Sequence, residues 1–184
     1  MDNDIRHQLS DRVFHWVMAI LTVILLGTAF LPILGIKFDW VPIHWIAGVL
    51  LIFSIIFHLY RSFFVHGISE MILRWGDIKG VFSKDDIKEH KYDLGQKLYH
   101  WSIAVIMMVL LVTGGCMLAK IDTPLWNRDP SVFSDWNWGI IYVLHGLASY
   151  LLIFFFILHI YFSFLPEHRE LLRSMVYGKK EPGN

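Results

Sequence analysis

Four stretches of this 184-residue chain carry no Asp, Glu, Lys or Arg, and nothing else in the sequence limits the fold as severely. They are Val13–Leu34, Trp40–Tyr60, Leu98–Ala119 and Trp136–Pro166. An α-helix rises about 1.5 Å per residue, so roughly 20 apolar residues cross the hydrocarbon of a bilayer. Each stretch is long enough, and the short alternating segments of a membrane β-barrel are absent. With 55% of all residues hydrophobic, the composition also lies outside the range of ordinary soluble domains. The sequence predicts an all-α, integral membrane four-helix bundle forming one domain over residues 1–184, with spans at about 13–34, 43–65, 98–119 and 139–165. The first span is too long for the apolar core of a cleavable signal peptide and is read as a true span.

An even number of spans puts both termini on one side, and the basic residues indicate which. Arg6 and Arg12 precede span one. Arg61, Arg74, Lys79, Lys84, Lys88, Lys91 and Lys97 lie between spans two and three, and Arg169, Arg173, Lys179 and Lys180 follow span four. Of the 16 Lys and Arg, this leaves only Lys37, Lys120 and Arg128 for the opposite face. The positive-inside rule then places both termini in the cytoplasm of a bacterial inner membrane. In the inner loop, Ile68, Met71, Ile72 and Trp75 recur at helical spacing, which predicts a helix on the membrane surface. Ser83 and Asp86 suggest the cap of another. Trp126, Trp136 and Trp138 are read as interface anchors, and Phe154–Phe156 as lipid-facing bulk. The single cysteine, Cys116, excludes a disulfide framework, a cysteine-ligated cluster and thioether haem attachment.

Of ten histidines, His15, His44, His58, His145 and His159 fall within the spans, and His100 lies one turn into span three. An ionisable side chain inside a membrane is costly and points to function. His44 and His58 are 14 residues apart, as are His145 and His159. At 3.6 residues per turn this spacing returns to nearly the same helix face, about 21 Å further along the axis. Spans two and four run from outside to inside, so His44 and His145 share an outer level, and His58 and His159 an inner one. Span one runs oppositely and brings His15 to the inner level. Facing imidazoles at one depth are what an iron porphyrin with two axial histidines requires, and ligation removes the penalty of an unsatisfied imidazole in hydrocarbon. Two non-covalent b haems at these levels would form an electron path across the bilayer. Small residues four positions after candidate ligands (Ala19, Gly48, Ser149, Ser163) leave room for a flat ring, though they also allow close helix packing. His7, His66, His90 and His168 receive no role.

The order of several short motifs adds a resemblance. Arg12-Val13-Phe14-His15-Trp16 opens span one, and His44-Trp45-Ile46-Ala47-Gly48 opens span two. Lys91-Tyr92-Asp93-Leu94-Gly95-Gln96-Lys97 leads to Thr113-Gly114, followed by His145, His159, Tyr161 and Met175-Val176-Tyr177-Gly178. Over nearly its whole length the chain resembles the di-haem cytochrome b (gamma) subunits of membrane-bound formate dehydrogenases and nickel–iron hydrogenases. The resemblance implies an outer haem b held by His44 and His145 and an inner haem b held by His15 and His159. It also implies menaquinone or ubiquinone reacting beside Asp93, Gly95 and Gln96. The expected partners are a periplasmic iron–sulfur or other redox subunit, its catalytic subunit, quinone and membrane lipid, with no nucleic acid. The chain itself is then the electron-transfer and quinone-reactive subunit, and substrate catalysis lies elsewhere. Two departures stand out: Asp93 replaces an Asn, and His58 is additional. His58 leaves open a second geometry, in which spans two and four supply all four ligands. A free-standing quinone-linked cytochrome b and a haem-free transporter or scaffold are the alternative functions.

Overall fold

The computed structural model describes residues 8–66, 94–166 and 169–178. Among them are four helices long and apolar enough to cross a membrane, and no strand. The helices are α1 (Leu9–Phe30), α2 (Trp40–Arg61), α3 (Leu94–Met117) and α4 (Asp135–Phe164), followed by the short α5 (Arg169–Tyr177). The expected surface helix, the Ser83 cap and Asp93 lie outside the described residues.

Local chemistry sets the helix ends, and it moves them a few residues from the edges of the charge-free runs. α1 begins ahead of its apolar stretch because Asp11 suits a helix N-terminus and pairs with Arg61 at 2.8 Å. At its other end Pro32 lacks an N–H. The chain closes there through Ile36 N–H to Leu31 O and Gly35 N–H to Pro32 O, with Gly35 at φ 89°. That pair of bonds is a Schellman turn, and its left-handed position suits glycine. Pro42 sits in the first turn of α2, where no intrahelical donor is lost. Ser134 caps α4 by accepting from the Asn137 N–H. α2 continues into a π-helical turn, Ser62–His66, and α3 into a 3-10 turn, Leu118–Lys120.

The core is narrow and lies between the two histidine levels. Leu21 and Leu26 of α1, Ala47 and Leu51 of α2, Ile106 and Met107 of α3, and Ala148 and Leu152 of α4 form it. Outside it, Val17, Phe53, Val105, Leu147 and Ile157 are exposed. In water such a surface would aggregate; in hydrocarbon it is the solvated one. Two readings of the aromatic residues change. Phe154 faces outward, but Phe155 and Phe156 pack against the core, because successive helical residues turn by about 100°. Trp138 is not an interface anchor. It is 3% exposed, donates its indole N–H to Pro130 O at 2.9 Å, and lies under the Lys120 ammonium. Trp136, 76% exposed, remains in an anchor's position.

The first and last motifs of the sequence meet at one end of the bundle. The Arg12 guanidinium donates to Met175 O at 3.2 Å and also to Val176 O, and Trp16 Nε1–H reaches Met175 O at 3.4 Å. These carbonyls end α5, where no intrahelical donor remains for them. Gly178, at φ 80°, closes the turn by donating to Ser174 O. Charged hydrogen bonds of this kind contribute about 1.5–3 kcal/mol. Arg12→Ala is expected to lower stability in detergent by that amount and to speed trypsin cleavage after Arg173, with Arg12→Lys intermediate. Unchanged melting and cleavage would show that α5 is held by other contacts.

Candidate haem sites

The site at the level expected to be outer is built from α2 and α4. His44 lies one turn into α2 and His145 about three turns into α4, and their ring centres are 6.4 Å apart. Each ring is also fixed from behind. Thr28 Oγ1 of α1 lies 2.8 Å from His44 Nδ1, and Thr113 Oγ1 of α3 lies 2.8 Å from His145 Nδ1. Gly114 makes the approach of His145 possible, since a Cβ there would stand 3.3 Å from the ring's Cε1. Residues of all four helices line a partly open, apolar pocket around the two rings. Gly48 and Gly115 lie on its wall, and a Cβ at either would meet nothing within 4 Å. Ser149, also on the wall, spends its hydroxyl on His145 O at 2.7 Å.

The inner level holds two facing pairs. His15 of α1 and His159 of α4 have ring centres 6.3 Å apart. His58 of α2 faces His100 of α3, also at 6.3 Å, and stacks on Phe14 at 4.9 Å. Tyr99 stacks on His159 at 5.5 Å and donates its hydroxyl to Phe155 O at 3.1 Å. Ser163 donates to His159 O as Ser149 does to His145 O. Gly95 and Gln96 open α3 at this level and are exposed, with Gln96 one turn before Tyr99. Lys97, expected in the solvated loop, is instead 4% exposed.

The donor set suits an iron porphyrin. An imidazole nitrogen stands about 2 Å from a first-row metal that it ligates, so rings on opposite faces of one iron have centres roughly 6 Å apart. Among the described residues no three His, Cys, Asp or Glu side chains cluster as they would around a bare metal ion. The histidines meet in pairs, and the outer pair borders a large apolar space with glycine walls.

Thr28 and Tyr99 carry no motif of their own, and Thr113 and His100 no assigned role, yet a signal for all four is present in the sequence. α2 repeats in α4: His44, Ala47, Leu51, His58 and Tyr60 recur at constant offset as His145, Ala148, Leu152, His159 and Tyr161. α1 repeats in α3 in the same way, with Phe14, His15, Trp16 and Thr28 matching Tyr99, His100, Trp101 and Thr113. The contacts repeat too, since Phe14 stacks on His58 as Tyr99 does on His159.

The family described as prokaryotic cytochrome b561 matches residues 6–178. The formate dehydrogenase cytochrome b556 subunit of Haemophilus influenzae is 32% identical, over 95% of this chain and 75% of that protein. The formate dehydrogenase cytochrome b556(fdo) subunit of Escherichia coli is 23% identical, over 87% of this chain and 78% of its own length. With four membrane-crossing helices and facing histidines in its bundle, the chain belongs to the prokaryotic cytochrome b561 family: it is a multi-pass bacterial membrane cytochrome b, a haem b protein of electron transfer.

Proposed function

We propose that this chain is the di-haem subunit through which a periplasmic oxidoreductase exchanges electrons with the quinone pool. The observation that carries this reading is the stacking of two facing histidine pairs, His44 with His145 and His15 with His159, at two depths of one bundle. His44 and His145 hold the outer haem b, and His15 and His159 the inner one. Haem b supplies a one-electron carrier at each level. The protein's own residues hold, orient and insulate it: imidazoles ligate, glycines leave a flat wall, and the apolar lining excludes water. His58, which faces His100 at the same ring separation, stays the alternative inner ligand, and His15 is preferred for its place in the matching motif.

The relatives are named as formate dehydrogenase subunits. We read the same kind of assembly here, with a periplasmic iron–sulfur or other redox subunit and its catalytic subunit docked on the outer face. Residues 1–184 act as one domain with both termini cytoplasmic, following the basic residues of the inner loop and tails. Menaquinone or ubiquinone reacts at the cytoplasmic level beside Asp93, Gly95 and Gln96. The Gln96 amide donates to a quinone carbonyl, and Asp93 passes protons from cytoplasmic water. The position of Gln96 one turn before Tyr99, which stacks on His159, supports this placement.

Purified protein is expected to contain two acid-extractable haems per chain. His44→Ala or His145→Ala removes one, and His15→Ala or His159→Ala the other. Loss of the second haem in His58→Ala, with His15→Ala unaffected, would reverse the inner assignment. Gly114→Ala crowds His145 and is expected to reduce haem content, whereas Gly139→Ala, whose added Cβ meets nothing within 4 Å, leaves it unchanged. In reconstituted membranes Asp93→Ala and Gln96→Ala lose quinone-linked turnover while retaining both haem spectra. Normal turnover and inhibitor binding in both variants would move the quinone elsewhere. Mild-detergent purification of the native protein tests the assembly, since isolation alone would favour a free-standing cytochrome.

A further inference from the structure

The outer histidines are held by a matched pair of hydroxyls. Thr28 Oγ1 donates to the Ile24 carbonyl at 2.8 Å, with Leu25 O at 3.0 Å, and lies 2.8 Å from His44 Nδ1. Thr113 Oγ1 donates to the Val109 carbonyl at 2.6 Å, with Leu110 O at 3.3 Å, and lies 2.8 Å from His145 Nδ1. Both threonines are 5% exposed, so water does not compete for these bonds.

A hydroxyl has one hydrogen, and a carbonyl can only accept. With that hydrogen on the backbone carbonyl, the threonine oxygen presents a lone pair to the ring, and Nδ1–H of the histidine donates to it. The tautomer is then fixed: Nε2 carries no proton and keeps its lone pair for a metal. Each chain of carbonyl, hydroxyl and imidazole also polarises the ring in one direction, because successive hydrogen bonds reinforce each other. Partners of this kind orient a ligating histidine and raise its basicity.

We infer that Thr28 and Thr113 are positioning residues for the outer haem, holding His44 and His145 in the Nδ1–H tautomer and setting the redox potential of that centre. A more basic imidazole favours ferric over ferrous iron, so the threonines lower the outer potential. The inference rests on His44 and His145 being the outer ligands. Each threonine oxygen lies 2.8 Å from the Nδ1 of its histidine, so the same contact is made to both rings.

The test is a potentiometric titration of the purified holoprotein, followed optically and by electron paramagnetic resonance, with haem content measured in parallel. The outer centre is the one that disappears in His44→Ala. Thr28→Val and Thr113→Val keep the side-chain shape and remove the hydroxyl. Each is expected to raise the outer midpoint, shifting the ferrous-to-ferric ratio at the parent's midpoint several-fold toward ferrous, and to leave the other centre unmoved. Thr28→Ser and Thr113→Ser are expected to restore the parent's value. Haem loss in a valine variant that is rescued by serine supports the same role. Parent-like potentials and full haem in both valine variants would overturn it, as would equal haem loss in the valine and serine variants. Should His44→Ala and His145→Ala keep every haem, the ligand assignment itself fails, which is visible without the threonine variants.

Discussion

A neutral imidazole carries one N–H and one lone pair, and hydrocarbon satisfies neither. Placing several histidines inside the spans therefore dictates most of what surrounds them. Each must turn inward, which fixes the rotation of its helix and sends Val17, Phe53 and Ile157 to the lipid. The facing pairs also set the separation of the helices around them. The apolar core is left to the layer between the levels, where Ala47, Leu51, Ala148 and Leu152 fill the turns between one histidine and the next. The outer rings, deepest against α1 and α3, have their N–H groups met by threonines already tied to their own helices.

The four spans and the two depths were legible because they follow from period and length alone. Fourteen-residue spacings survive any detail of packing, and the rings of His44 and His145, like those of His15 and His159, face each other at their two depths. What stayed hidden depended on which faces meet. Thr28 reads as an unremarkable helical residue, and Thr113 as one half of a short motif, until the repeat of α1 in α3 sets them side by side. Trp138 read as an anchor because tryptophans gather at interfaces, but the ordered outer loop folds over it. That loop owes its shape to side-chain bonds such as Arg128 N–H to Asp122 and Trp126 Nε1–H to Leu118 O, which no periodicity announces. Depth alone also could not say which neighbour His58 meets; its ring faces His100 of α3.

The two ends of the bundle are closed by different chemistry. At the histidine-rich inner end the ties are polar: Asp11 with Arg61, and Arg12 with the last carbonyls of α5. At the outer end they are aromatic. Trp45 meets Trp126 edge to face, Trp138 and Tyr142 stack beneath Lys120, and Phe133 meets Trp138 edge-on.

The repeat between the two hairpins holds at both levels and bears on electron transfer. It treats α2 and α4 alike: at the outer level each contributes one ring of the same pair. At the inner level the pair of α4 with α1 is repeated as the pair of α2 with α3. On the proposed assignment α4 alone then carries a ligand for both haems, about 21 Å apart along one axis. Their separation is therefore set by a single unbroken helix rather than by the packing of two. A helix of 30 residues without an internal proline changes length very little, so motion among the other spans alters ring orientation more than the distance between the levels. Orientation, in turn, is what Thr28 and Thr113 restrain at the outer level.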